Sequence, residues 1–311
     1  MKMLTRKFGR EDWDVSVIGL GTWNLGGQWG AISDSEALKV IDTAIENGIN
    51  LIDTADAYGE PPGRSEALIG RALAGRRDKV FLVSKAGNWG KRFGHEVKVT
   101  HPMHIQMFCD ASLYRMKTDV IDVYLCHLAS LADPDMWLEG FRKLKEQGKI
   151  RSFGISSDSI ETVKAFAKTG ECSAVELEYS LVNRKAEKEL LPFCLENRIA
   201  VIVRGPLAMG VCAGKYTTET KFSDSVRSRF NEGKDREQFL RNVGMIDKLK
   251  FLENSSRPMA RAALQFVLAH PAVTSIIPGA KSPGQVIENA RAGSDPQLNS
   301  EELAKIRKIT G

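Results

Sequence analysis

Eight short apolar runs rich in β-branched residues are spaced along this chain: Val17–Leu20, Asn50–Asp53, Val80–Ser84, Val120–Leu125, Ile150–Ile155, Ala174–Leu177, Ala200–Val203 and Thr274–Ile277. Helical periodicity fills most of the gaps between them. Strands that are apolar along their length are buried on both faces, as in a parallel sheet whose crossovers are helices. Eight such units predict an α/β fold, a (β/α)8 TIM barrel. A doubly wound open sheet is the rival, but no G-x-G-x-x-G follows the first run. Leu4–Phe8 and Trp13–Val15 predict an N-terminal β-hairpin ahead of the barrel. No linker-like composition interrupts the pattern, so residues 1–311 read as a single domain.

Local punctuation agrees. Ser33 and Glu36 have capping-box spacing, Ala37, Val40, Ile41, Ala44 and Ile45 share one helical face, and Gly48 suits the stop. Asp133 and Pro134 are placed as N-cap and first residue of another helix, with Trp137, Phe141 and Leu144 on its apolar face and Gly148 after it. The connection after strand 7 is enlarged. Residues 205–257 hold a polar stretch, Lys215 to Arg236, and then a predicted helix, Glu237 to Leu252. In a barrel, loops that follow strands build the active face, so this insertion is expected to act as a lid or cofactor clasp.

Composition narrows the partners only slightly. Against 39 Asp plus Glu there are 44 Lys plus Arg, a net charge of +5 that names no nucleic-acid partner. The five cysteines, Cys109, Cys126, Cys172, Cys194 and Cys212, form no C-x-x-C pair, which disfavours a disulfide framework or zinc ribbon. His101 and His104 lack the further ligands that a metal site needs. The basic start, Met1 to Arg10, is not followed by an apolar segment of signal-peptide length, so a cytoplasmic protein without membrane contact is expected.

The polar residues at the strand ends carry the chemistry. Asp53 closes one run and Tyr58 follows five residues later; Lys85 follows Val80–Ser84, and His127 follows Val120–Leu125. A phenol is a poor acid near neutrality. A neighbouring ammonium lowers its pKa, a carboxylate holds that ammonium charged, and an imidazole can steer a carbonyl oxygen toward the phenol. Singly, each has a dull explanation as a cap, a packing ring, a rim charge or a core histidine. Together they form a proton-transfer set.

These residues and their surroundings resemble the aldo-keto reductase family from about Gly19 to Ala292. The segments that carry the resemblance are Leu51–Gly59, Val83–Lys85, Asp119–His127, Gly154–Ser157, Glu176–Ser180, Pro206–Tyr216 and Ile277–Pro283. The resemblance implies a barrel that binds NADP(H) without a Rossmann fold. It makes Asp53, Tyr58, Lys85 and His127 the catalytic tetrad, with Tyr58 as the proton donor in carbonyl reduction.

The family pattern also assigns a cofactor site. Gly21, Thr22, Trp23, Gln28 and Asp53 match contacts near the first loop. Ser156, Ser157 and Glu176 match those at the carboxamide, and Tyr179 matches the aromatic stacked beneath the nicotinamide. Arg204, Gly205, Pro206, Leu207, Gly210, Lys215 and Arg227 match the clasp over the pyrophosphate. Gly279, Lys281, Ser282, Gln285, Glu288 and Asn289 match the adenosine-phosphate site, where Lys281 would favour NADP over NAD. Trp23, Tyr58, Trp89 and His127, with Trp29, are substrate-pocket candidates.

One position departs from the family. Glu176 stands where glutamine usually meets the carboxamide, and an ionised Glu can only accept hydrogen bonds. A carboxylate beside the ring would favour the oxidised cofactor; the alternatives are a protonated Glu176 or one salt-bridged away from the ring. The expected activity is NADP(H)-dependent reduction of an aldehyde or ketone, with sugars and polyols among the candidate substrates. A cofactor-binding regulatory subunit, like the β-subunits of potassium channels, is the alternative. That branch carries Asn where this chain has His127. A third reading makes Lys85 a Schiff-base lysine.

Overall fold

The computed structural model describes residues 2–131 and 133–311. A hairpin of β1 (Thr5–Lys7) and β2 (Asp14–Ser16) comes first, antiparallel with Thr5 opposite Ser16. Eight parallel strands follow: β3 (Leu20–Gly21), β4 (Leu51–Asp53), β5 (Phe81–Ala86), β6 (Ile121–Cys126), β7 (Ile150–Ser156), β8 (Ala174–Glu178), β9 (Ala200–Arg204) and β10 (Val273–Ile276). Each pairs with its neighbour in chain order. The ring closes through single bridges, Ile18 to Ile276 and Gly21 to Gly279. Closure demands close backbone approach: a Cβ on Gly21 would lie 2.5 Å from the Ile277 carbonyl oxygen. The expected (β/α)8 barrel with its N-terminal hairpin is the observed architecture.

Helices α1 (Asp34–Glu46), α2 (Arg64–Ala72), α3 (Pro102–Met116), α4 (Asp135–Glu146), α5 (Ile160–Ala167) and α6 (Leu190–Glu196) occupy the first six connections. The seventh holds α7 (Gly233–Lys248) and α8 (Met259–Leu268), and α9 (Pro283–Ala292) and α10 (Ser300–Thr310) end the fold. At α1 the Ser33 hydroxyl accepts the Glu36 N–H while the Glu36 carboxylate accepts the Ser33 N–H, so both orphan donors are met.

Alternation along the strands divides the core in two. Leu51, Val83, Val123, Leu125, Ala174, Ala200, Ile202 and Ile277 point into the barrel, where Phe8 and Val15 of the hairpin region join them. Phe8, Trp13 and Phe81 stack in series at 5.6 and 5.4 Å, which closes the barrel at the hairpin end. The larger outer cluster lies between sheet and helices and includes Tyr124, Trp137, Phe141, Phe153 and Phe166.

Three boundaries differ from the sequence reading. The first barrel strand is only Leu20–Gly21, because Val17 and Ile18 are buried but bonded singly, in the bridge region of the closure. The regular part of α4 begins at Asp135; Pro134 already has helical angles, and the Asp133 carboxylate accepts the Asp135 N–H at 2.9 Å. The inserted helix runs Gly233–Lys248, and a separate short turn, Lys250–Leu252, follows it.

Candidate active site

The inward stripes of the strands end in polar groups at the barrel mouth. On β4 the stripe through Leu51 reaches Asp53, on β5 the stripe through Val83 reaches Lys85, and on β6 that of Val123 and Leu125 reaches His127. By the same alternation Ser156, Glu176 and Arg204 end the inward stripes of β7, β8 and β9. The sequence elements that were separate are thereby gathered around one centre.

Lys85 is that centre, with no exposed surface. Its ammonium donates to Asp53 Oδ2 at 2.6 Å, to Asp53 Oδ1 at 2.8 Å and to the Thr54 carbonyl at 3.0 Å. Tyr58 Oη lies 3.5 Å from the same nitrogen. Glu176 Oε2 lies 3.1 Å away, an ion-pair contact off the hydrogen-bond direction. Ser156 Oγ approaches Glu176 Oε1 at 3.5 Å. Burial opposes the charge on Lys85, yet the Asp53 and Glu176 carboxylates outweigh it and push its pKa up. Burial first, and then Glu176, raises the Asp53 carboxyl. An ammonium held charged in this way is a poor Schiff-base nucleophile, which weakens the aldolase reading.

Tyr58 and His127 keep part of their surface open at the mouth. Burial pushes the phenol pKa up, and Lys85 pulls against that rise. The His127 ring meets the Tyr58 ring edge-on at 5.9 Å. Burial drives the His127 pKa well below its ordinary value, followed by repulsion from Lys85, Arg204, Arg92 and Lys91. The imidazole is therefore neutral near pH 7, able to donate one hydrogen bond without carrying a charge. Trp23 stacks on Tyr58 at 5.8 Å, and Trp29 meets Trp23 edge-on at 5.0 Å.

The expected cofactor residues divide into those at the mouth and those already engaged. Thr22 donates to the Asp53 carbonyl at 2.8 Å, and Gln28 Oε1 accepts from Trp23 Nε1 at 2.8 Å and from the Gly59 N–H at 3.1 Å. Ser157 donates to the Ala129 carbonyl at 2.6 Å. Arg204 pairs with Asp158 and lies 3.5 Å from Glu178. Past Gly205, Pro206 and Leu207 the backbone turns left-handed at Ala208, Met209 and Gly210, where a Cβ on Gly210 would meet Tyr216 Oη at 2.7 Å. Arg227 donates to Tyr216 Oη at 2.8 Å and faces the Trp29 ring at 5.6 Å, and Lys215 is exposed.

Across the mouth, Lys281 donates to the carbonyls of Trp29 at 3.0 Å and Gly30 at 3.2 Å. Ser282 caps α9, Gln285 accepts the Lys281 N–H at 2.7 Å, and Asn289 on the same helix is buried, while the Asn24 side chain packs on Gly279. Glu288 is held by Arg261 at 2.6 Å, as a strut between α8 and α9. Lys281 at a capped helix start, with the exposed Lys215 and the left-handed turn at 208–210, is a donor set that fits an anionic dinucleotide.

One placement runs against the sequence reading. Tyr179 does not reach the mouth: its ring is buried against Phe266 and His270 and its hydroxyl donates to Glu187 at 2.5 Å. It shares the outward parity of Val175 and Leu177, which is the physical reason. Trp89 has its face covered by the Arg115 guanidinium at 4.9 Å. Glu176 pairs with Lys85, the salt-bridged alternative of the sequence reading. The sequence reading also missed Arg92, whose guanidinium lies 4.3 Å over Trp23. The signal was the pair Lys91–Arg92 in the loop that follows the Lys85 strand.

The aldo/keto reductase family model matches residues 17–310. The chain belongs to the aldo/keto reductase family. Among its relatives, an uncharacterized oxidoreductase, YqkF, of Bacillus subtilis is 34% identical across 99% of this chain and 97% of its own. The NADH-specific methylglyoxal reductase of Escherichia coli is 32% identical over 91% of each chain. Among solved structures, the holo form of aldo-keto reductase AKR11C1 from Bacillus halodurans superposes with a TM-score of 0.83 at 31% identity, over 99% of this chain and 97% of that one. A Klebsiella pneumoniae aldo/keto reductase in complex with NADP and acetate gives 0.75 at 29% identity, over 100% and 96%. This reductase is thus an enzyme of nicotinamide-dependent carbonyl chemistry. Among its described residues no helix is long and apolar enough to cross a membrane.

Proposed function

We propose that the reductase converts an aldehyde or ketone to the alcohol, reversibly, with NADPH as the reductant and Tyr58 as general acid. The observation that carries the reading is the Lys85 ammonium, pinned on Asp53 at 2.6 Å and standing 3.5 Å from the Tyr58 oxygen. A bound nicotinamide supplies the hydride. The chain's own residues handle the proton. Tyr58 gives its phenolic proton to the developing alkoxide, and Lys85 stabilises the phenolate that remains. His127, neutral and edge-on to Tyr58, donates a hydrogen bond that orients the carbonyl oxygen. In the oxidising direction the phenolate takes the alcohol proton back.

NADP preference rests on Lys281, which contacts two backbone carbonyls in place of a carboxylate and so can exchange them for a 2′-phosphate. Supporting it, the Klebsiella neighbour was solved with NADP; against it stands the E. coli relative described as NADH-specific. Small carbonyls, sugar- or polyol-type ones included, are the substrate class, and the loops 88–104 and 207–257 shape the choice among them.

The test is a panel of aldehydes, ketones and sugars followed by loss of NADPH absorbance, repeated with Tyr58→Phe. Turnover should fall by roughly 10²–10⁴-fold when the phenol is removed. A Tyr58→Phe enzyme that keeps wild-type turnover would overturn the mechanism.

A further inference from the structure

The Lys85 ammonium has carboxylates on two sides. Asp53, from β4, holds it at 2.6 and 2.8 Å, and Glu176, from β8 across the barrel, stands 3.1 Å away. Glu176 is 1% exposed, so its charge is not screened by solvent. The proton transfer derived above needs one carboxylate and one ammonium. A second buried carboxylate is surplus to it, and burying a surplus charge is costly.

We propose that Glu176 is a positioning residue for proton transfer: it competes with Tyr58 for the Lys85 ammonium and loads the centre with a negative charge that keeps the phenol protonated. The inference rests on Tyr58 being the proton donor. An ammonium has three hydrogens. Asp53 and the Thr54 carbonyl take the close contacts, and the approach to Tyr58 is the longest of the set at 3.5 Å. Glu176, at 3.1 Å, competes with Tyr58 for the same ammonium. Like charge nearby also disfavours a phenolate. The two effects act in one direction, toward a phenol that gives its proton only in the presence of a developing alkoxide.

Every charged or titratable group packed around Glu176 enters the balance. Asp53 faces it from β4, Lys85 from β5 and Tyr58 from the loop after β4, while His127 at the end of β6 feels Lys85 and Arg204. Ser156 approaches it from β7 at 3.5 Å. From β9, Arg204 opposes its charge, but Arg204 is itself committed to Asp158 and Glu178. Arg92 and Lys91 bear on the same centre from the loop after β5. With glutamine at this position, the shape remains and one negative charge goes.

The experiment compares wild type, Glu176→Gln and Glu176→Asp across pH, reading kcat/KM for carbonyl reduction and for alcohol oxidation. In Glu176→Gln the alkaline limb of reduction and the acidic limb of oxidation should both move down by about one pH unit or more. Glu176→Asp, which keeps the charge but withdraws it, should move them less. Limbs that superimpose on wild type would overturn the proposal, even if kcat or KM changed. Should Glu176→Gln fold poorly by circular dichroism, the Glu176→Asp limbs decide: a smaller downward shift supports the proposal and none overturns it.

A readout without substrate separates this proposal from the reductase reading. The tyrosinate absorbance owed to Tyr58, obtained by subtracting Tyr58→Phe in each background, should appear at lower pH with Glu176→Gln. An unmoved titration overturns the role of Glu176. A wild-type enzyme inactive on every carbonyl overturns the reductase reading and leaves the phenol titration to judge this one.

Discussion

The charged centre of the barrel and the charged rim around its mouth use the same side chains in different ways. At the centre, Asp53, Lys85 and Glu176 are at most 2% exposed, and each charge meets another within 3.1 Å. At the rim, Lys281 rests on two backbone carbonyls, and Arg227 divides itself among Asp224, Tyr216 and the Trp29 face. Buried charges in low dielectric must be paired wherever the fold puts them, so the centre is arranged before anything binds. Rim contacts are weaker, and an anion can displace them. On the proposed mechanism, the difference separates a preorganised reaction centre from a binding surface whose contacts a ligand can exchange.

The strongest way to break that contrast is Lys85→Met. It strips the cation from between two carboxylates, so stability should fall by about 3–5 kcal/mol and turnover by roughly 10²–10⁴-fold. Denaturant melts beside NADPH-coupled assays check both, and a Lys85→Met protein as stable as wild type would mean the centre is not charge-locked. Lys281→Ala works on the rim. Losing a charge-assisted contact of about 1.5–3 kcal/mol should weaken NADPH binding roughly ten- to hundredfold, leave NADH binding nearly unchanged and leave folding stability intact. Equal losses for the two cofactors would remove the 2′-phosphate role.

His127 gives a finer comparison through pH. Its folded pKa is depressed below the ordinary 6.5, so below that value the unfolded chain binds the proton that the folded one refuses. Stability contributed by the neutral ring is full above pH 6.5 and is lost as pH falls, by at most about 1.4 kcal/mol per pH unit. Urea melts between pH 7 and 5 should show a shallower decline in His127→Asn; equal slopes would contradict the assignment. The smallest effect is expected at Arg227→Ala. Its pair with Asp224 is partly exposed, so stability should change by about 1 kcal/mol or less, and cofactor affinity should fall less than for Lys281→Ala.

The sequence showed the centre better than the rim for a physical reason. Parallel strands buried on both faces stand out as apolar runs, and the first inward polar group after each run marks the mouth, which made Asp53, Lys85 and His127 visible. The same parity rule places Glu176 and Arg204 inward and Tyr179 outward; the family pattern set Tyr179 under the nicotinamide, and strand alternation overrides it. That Glu176 meets Lys85 depends on two strands facing each other across the barrel, which no local pattern encodes. The first strand is cut short because ring closure uses isolated bridges in place of a ladder. Helix α7 starts before its first buried apolar residue, Phe239, so apolar periodicity alone begins it too late.

The stacked Phe8, Trp13 and Phe81, with the inward side chains beyond them, fill the barrel from its far end toward the mouth. Cofactor and substrate therefore approach the reacting groups from the mouth. The stopper at the far end, remote from any reacting atom, makes the enzyme one-sided.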